Sequence, residues 1–164
     1  MKTESIATRT APSGLKFKKI LAPIDFSPAS KKALDYAFRL GELFKSEVTL
    51  LHVFEPLKAP DFPDIACASS YGAKEFVSAE KNLRALITSS SMNGASQLKW
   101  KVRAGVPAHE IVEAAKELNV DLIVIATHGF TGWKHFCIGS TAERVARVAP
   151  CPVLVVREKE HEFI

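Results

Sequence analysis

The 164-residue chain predicts a single doubly wound α/β domain, with a five-stranded parallel sheet and helices on both faces. Three observations predict it. Five short apolar segments alternate with four stretches of helical spacing. Two of those segments, at 48–54 and 121–127, are nearly unbroken, as strands buried on both faces are. No internal repeat, low-complexity segment or inter-domain linker interrupts the alternation. Parallel strands joined through helices then require right-handed crossovers.

The elements follow in order. Met1 to Lys16 carries Lys2, Glu4 and Arg9 without an apolar run, and is expected to be a tail before a domain spanning 17–158; a second tail is expected at 159–164. Lys18 to Ala22 is the first strand. Ser27 caps the first helix and Pro28 occupies its first turn, where a missing N–H costs nothing. Ala33, Leu34, Ala37, Leu40 and Phe44 recur there at helical spacing, and Val48 to Phe54 is the second strand. A loop rich in Pro and Asp is expected from Glu55 to about Ser70. A helix marked by Phe76, Ala79, Leu83 and Leu86 follows it, then a polar connection from Thr88 to Ala95. Gln97 to Ala104 alternates strictly, with Leu98, Trp100, Val102 and Ala104 on one side and Lys99, Lys101 and Arg103 on the other. That is the pattern of a half-exposed edge strand guarded by charge. Pro107 opens a third helix through Ile111, Val112, Ala115 and Leu118, and Asp121 to Thr127 is the fourth strand. Ser140 to Val148 is the last helix and Pro152 to Val156 the last strand.

Composition narrows the function. The chain is 47% hydrophobic and 24% charged, the balance of an ordinary globular protein. No apolar run reaches the length of a bilayer span and no signal-peptide core is present, so no membrane partner is expected and the cytoplasm is the expected compartment. The net charge of +4 is spread along the chain, which disfavours nucleic acid as a partner and suits a small anionic ligand. Cys67, Cys137 and Cys151 cannot all pair and form no C-x-x-C, so a disulfide framework or structural zinc site is not expected. His128 and His135 find no carboxylate or cysteine spacing that completes a metal site.

Ligands of open parallel sheets bind beyond the carboxyl ends of the strands. Two such ends carry chemistry here: Pro23-Ile24-Asp25-Phe26-Ser27, and the run from Ala126 through Gly129, Gly132 and Lys134 to Gly139-Ser140-Thr141. Glycines let the backbone approach a ligand, and a helix start offers N–H groups and a dipole to an anion. An equally ordinary reading makes the glycines a tight turn and Ser140 with Glu143 a capping box. Asp25 likewise reads either as a ligand group or as a helix cap shared with Ser27. Cys137 reads as a packed thiol, and Trp133 as a cover for the site or a contact for a partner. The run lacks the spacing of a Walker loop.

The run from Ala126 to Val156 resembles the C-terminal signature of the universal stress protein family, whose ATP-binding members carry G-x-x-G, nine residues, then G-[ST]. Nine residues separate Gly129 from Gly139 here, with Ser140 following. Ile20 to Ser27, Val48 to Val53 and Gly105 to Ile111 resemble the family as well, so the likeness spans roughly residues 18–157. The resemblance implies a strand order of 3-2-1-4-5, with the first and fourth strand ends side by side. It also implies ATP as ligand, with Mg2+ brought in only by the phosphates. Pro23 and Asp25 would line the nucleoside pocket, Asp25 accepting from ribose hydroxyls, and the backbone of Val53 would read the adenine edge. Gly129, Gly139, Ser140 and Thr141 would hold the phosphates beside His128. The chain departs at Ala126, where the family has the first glycine; alanine keeps the N–H but penalises a positive φ, and its Cβ would crowd the ribose if that sugar comes close. The resemblance and an apolar final strand together imply a homodimer through Val153 to Val156.

These readings lead to an ATP-binding regulatory module of the stress response. Two rivals stand beside it: a slow or partner-dependent ATPase, and a dimeric interaction module without nucleotide. No catalytic residue is assigned, since no nucleophile–base pair or water-activating carboxylate is legible.

Overall fold

The computed structural model describes residues 15–56, 65–89, 97–127 and 138–158. The elements are β1 (Lys19–Pro23), α1 (Pro28–Phe44), β2 (Glu47–Phe54), α2 (Ile65–Ser89), β3 (Leu98–Ala104), α3 (Pro107–Leu118), β4 (Leu122–Ala126), α4 (Ser140–Val148) and β5 (Val153–Val156). Among the described residues the strands form one sheet in the order β3-β2-β1-β4-β5, every pair parallel. The order implied by the resemblance is therefore present, and β1 lies beside β4 with Ile20 opposite Leu122 and Leu21 opposite Ile123.

Side chains alternate across each strand and so divide the core in two. Ile20, Ala22, Val48, Leu50, Leu122 and Val124 pack under α1 and α2, against Ala33, Ala37, Phe38 and Leu83. Leu21, Leu51, Ile123 and Ile125 point the other way, against Ile111, Val112 and Ala115 of α3 and Ala142 and Val145 of α4. Each large side chain so buried stabilises the fold by roughly 1.5–3 kcal/mol. Ser27 caps α1 as expected, its hydroxyl accepting from the Ser30 amide at 3.1 Å.

At the amino pole of the sheet, Asp121 ties β1 to β4. Its Oδ2 accepts from the amides of Lys18 (2.7 Å) and Lys19 (3.0 Å), while its own amide donates to the Lys19 carbonyl at 2.8 Å. These bonds set the register of the two strands whose opposite ends carry the candidate site.

β3 is the edge strand that its alternation implies. The Arg84 guanidinium covers Trp100 at 5.2 Å on one face. On the other, Lys99 pairs with Glu47, Lys101 with Glu117, and Arg103 with Glu110 and Glu117. One expectation is corrected. The loop placed from Glu55 to Ser70 gives way to α2 at Ile65, and the helix continues through Thr88 to Ser89. The first turns, Ile65 to Ser70, carry no apolar period, so periodicity is silent there; a helix nucleated further on extends through such residues cooperatively. Phe76, expected in the core stripe, is 41% exposed, whereas Ala79 and Leu83 are buried.

Candidate functional site

After β1 the chain turns to the α1 face of the sheet, and after β4 to the α4 face. Neighbouring strands whose connections diverge leave a crevice between them at their carboxyl ends. Most of the residues singled out in the sequence and described here come to that edge.

The β1 side is the turn from Pro23 to Ser27. Pro23 is buried and lies opposite Leu51 of β2. The Ile24 amide donates to the Leu51 carbonyl at 2.9 Å, and His52 Nδ1 donates to the Ile24 carbonyl at 2.8 Å. Phe26 then takes a φ of 67°, in the left-handed region. Asp25 Oδ1 accepts from the Ser27 amide at 3.0 Å and from the Ser27 hydroxyl at 2.6 Å. Asp25 and Ser27 thus act together at the start of α1, and these two bonds fix where the carboxylate points. A carboxylate has about four acceptor positions, so helix capping and ligand binding are compatible roles. Val53, one strand further over, is half-buried; its side chain packs into the α3–α4 core, and Arg103 of β3 lies opposite.

The β4 side ends at Ala126, which is 8% exposed, packed in the α1-side core and opposite Val156. It is not among the positive-φ residues, so its methyl group carries no backbone strain. The Thr127 amide donates to the Val156 carbonyl at 2.9 Å, and the Gly139 amide donates to the Thr127 carbonyl at 2.7 Å. The chain therefore returns from its excursion to within one hydrogen bond of the end of β4.

Gly139 is the N-cap of α4, with φ −61° and ψ 151°, a geometry open to any residue. What glycine offers there is room for close approach, not a special torsion. Its amide is committed to Thr127, so the donors at this helix start are the amides of Ser140, Thr141 and Ala142, which have no intrahelical acceptor. The capping box between Ser140 and Glu143 does not form: the N-cap is Gly139, which has no side chain to offer, and Glu143 Oε1 accepts from Arg147 Nη2 at 2.6 Å instead. Ser140 is exposed and Thr141 half-buried. Amides without an intrahelical acceptor, with the helix dipole behind them, suit an anion.

Pro23, Asp25, Ala126, Gly139, Ser140 and Thr141 thus share one edge of the β1–β4 pair, with Val53 adjacent. His128, Gly129, Gly132, Trp133, Lys134, His135 and Cys137 lie outside the described residues, as does the side chain of Cys67. Cys151 lies away from the site in the fold, just before the amino end of β5. Burial first, and the Asp121 carboxylate second, push its thiol above the ordinary range, which makes it a poor nucleophile. Phe26 and His52 had no assigned role in the sequence. Their signal was present all the same: a histidine within an apolar strand, and an aromatic just before a helix cap.

A family model described as the universal stress protein family matches residues 16–157. Universal stress protein MJ0531 of Methanocaldococcus jannaschii is 33% identical over 148 residues, 89% of this chain and 85% of its own length. Universal stress protein MJ0577 of the same organism is 32% identical over 156 residues, 87% of this chain and 96% of its own. A solved structure of MJ0577 superposes with a TM-score of 0.78 at 29% identity, over 90% of this chain and 100% of that one. The structure of a universal stress protein in complex with cAMP shares the fold, with a TM-score of 0.59 at 22% identity over 88% of this chain and 100% of that one.

Proposed function

The chain belongs to the universal stress protein family, and on that premise we propose that it is an ATP-binding regulatory module of the stress response, working as a cytoplasmic homodimer. The observation that carries the reading is the bond from the Gly139 amide to the Thr127 carbonyl. It holds the start of α4, whose N-cap is a glycine, at the end of β4, beside the end of β1 that bears Asp25.

In this reading the phosphates lie against the amides and hydroxyls of Ser140 and Thr141, with Gly139 giving close approach and His128 and Gly129 completing that end. Asp25 accepts from the ribose hydroxyls, Pro23 walls the nucleoside, and the Val53 backbone reads adenine. Mg2+ enters only with the phosphates. That a universal stress protein of the same fold has been solved with cAMP supports adenine nucleotides as the ligand class. The alanine at 126 is the reason for a second reading, a dimeric interaction module without nucleotide. Its extended backbone weighs against that reading, because an L-residue has no torsional penalty there.

Calorimetric titration with ATP tests the proposal. Wild type should bind. Gly139→Val should nearly abolish binding by filling the space of the phosphates, and Asp25→Ala should weaken it by about 1–3 kcal/mol. Ala126→Gly should bind equally or more tightly. If only Ala126→Gly binds, the fold stands and the ATP role fails for this chain. If neither it nor wild type binds, the interaction module becomes the better account.

A further inference from the structure

Three residues outside glycine have positive φ among the described residues: Phe26, Lys45 and Asn119. Lys45 and Asn119 are the C-caps of α1 and α3, where a left-handed residue is a common way to end a helix. Phe26 is different. It precedes a helix, its side chain is aromatic, and its φ of 67° is one that bulky residues keep only where their surroundings impose it.

The surroundings that impose it belong to β2. The Ile24 amide donates to the Leu51 carbonyl at 2.9 Å, and the Ile24 carbonyl accepts from His52 Nδ1 at 2.8 Å, so β2 holds both polar groups of this residue. A carbonyl can only accept, which assigns the imidazole proton to Nδ1. The same ring lies against Phe26, with centroids 4.8 Å apart and planes inclined by 39°. One imidazole thus grips the residue before Asp25 by a hydrogen bond and the residue after it by ring contact. Strand alternation makes this possible: Val53 points into the α3–α4 core, and His52 points to the α1 side, where Phe26 and Ile24 pack.

We propose that His52 is a positioning residue for the nucleotide site, holding the Ile24–Phe26 turn in its left-handed form and so aiming the Asp25 carboxylate at the ribose. The inference rests on the nucleotide reading above, because it concerns what Asp25 meets. It adds a side chain from β2, which otherwise contributes only the backbone of Val53, to a site built mainly from β1, β4 and α4.

The test compares three variants by ATP calorimetry and by hydrogen exchange at the Ser27 amide, which donates to Asp25 Oδ1. His52→Leu removes the donor. His52→Asn keeps an amide nitrogen close to the position of Nδ1, and His52→Gln carries its amide one carbon too far. His52→Leu should bind ATP about tenfold more weakly than wild type, with His52→Asn within about threefold of it. Exchange at Ser27 should accelerate in His52→Leu and not in His52→Asn, by more than any change at the amides of α3, which report global stability. Wild-type affinity in His52→Leu overturns the proposal. If wild type itself binds no ATP, the nucleotide reading has failed separately, and Ser27 exchange decides: unchanged exchange in His52→Leu overturns the clasp. If His52→Leu does not fold, the Asn and Gln variants replace it, and equal affinity and exchange in those two overturns the proposal.

Discussion

Gly105, between β3 and α3, has a φ of 150°, and a methyl group built on it would lie 2.9 Å from Cγ and Oε1 of Glu110. That carboxylate is already held by Arg103 Nε at 3.0 Å, so it cannot move aside without breaking an ion pair. Gly105→Ala should therefore cost about 1–3 kcal/mol in urea unfolding. Gly72, inside α2 with nothing within 4 Å of a built Cβ, is the internal comparison: Gly72→Ala should gain about 0.5–1 kcal/mol. Two glycines alike in the sequence thus part by torsion and neighbour. Residue identity was informative at Ser27, Pro28 and Asp25, where the chemistry of a helix start is local. It was uninformative at Gly139, whose amide serves a carbonyl on another element.

Among the elements, β3 and α3 show charge used to cover a sheet edge. Lys101 Nζ donates to Glu117 Oε1 at 2.6 Å, and Arg103 Nη1 lies 3.3 Å from Glu117 Oε2. The hydrogen bond from Lys101, then its charge, hold the Glu117 carboxyl below the usual range. A carboxyl whose folded pKa is depressed contributes stability above its unfolded pKa and loses it as pH falls through the folded value. Wild type should accordingly exceed Glu117→Gln in urea midpoint at about pH 6, and the gap should close as acid reaches the carboxyl range near pH 4. The gap should be small and should shrink in salt, since both partners are exposed. The alternation of Lys99, Lys101 and Arg103 made this face legible in the sequence. The start of α2 was not, because Ile65 to Ser70 lacks both an apolar period and a charge pattern.

For the whole molecule, β5 is an edge of the sheet among the described residues. Leu154 is 37% exposed, and Val153 and Val155 are half-buried at the sheet margin. The carbonyls of Pro152 and Val156 bond β4, so by alternation the polar groups of Val153 and Val155 face outward. An apolar strand with outward N–H groups invites a second copy. Wild type should scatter light as a dimer at micromolar concentration, and Val155→Pro should be a folded monomer, because it removes an outward donor and spares the β4 ladder. A wild-type monomer removes the dimer from the functional reading. By itself the sequence determined the alternation of strands and helices, the cap of α1, the guarded edge strand and the two strand ends at which we propose the ligand site. Those features are written in spacings of two to four residues, where apolar periodicity, charge and a local cap hydrogen bond are enough to read them. The adjacency of β1 and β4 reached the sequence reading through family resemblance, and its register came only from the structure. Tertiary structure alone decided that the Gly139 amide is spent on Thr127, that Phe26 is left-handed, and that His52 is turned toward Ile24. Each depends on a partner brought in from another part of the chain, as His52 is to Ile24 across 28 positions, and no local pattern encodes such a meeting.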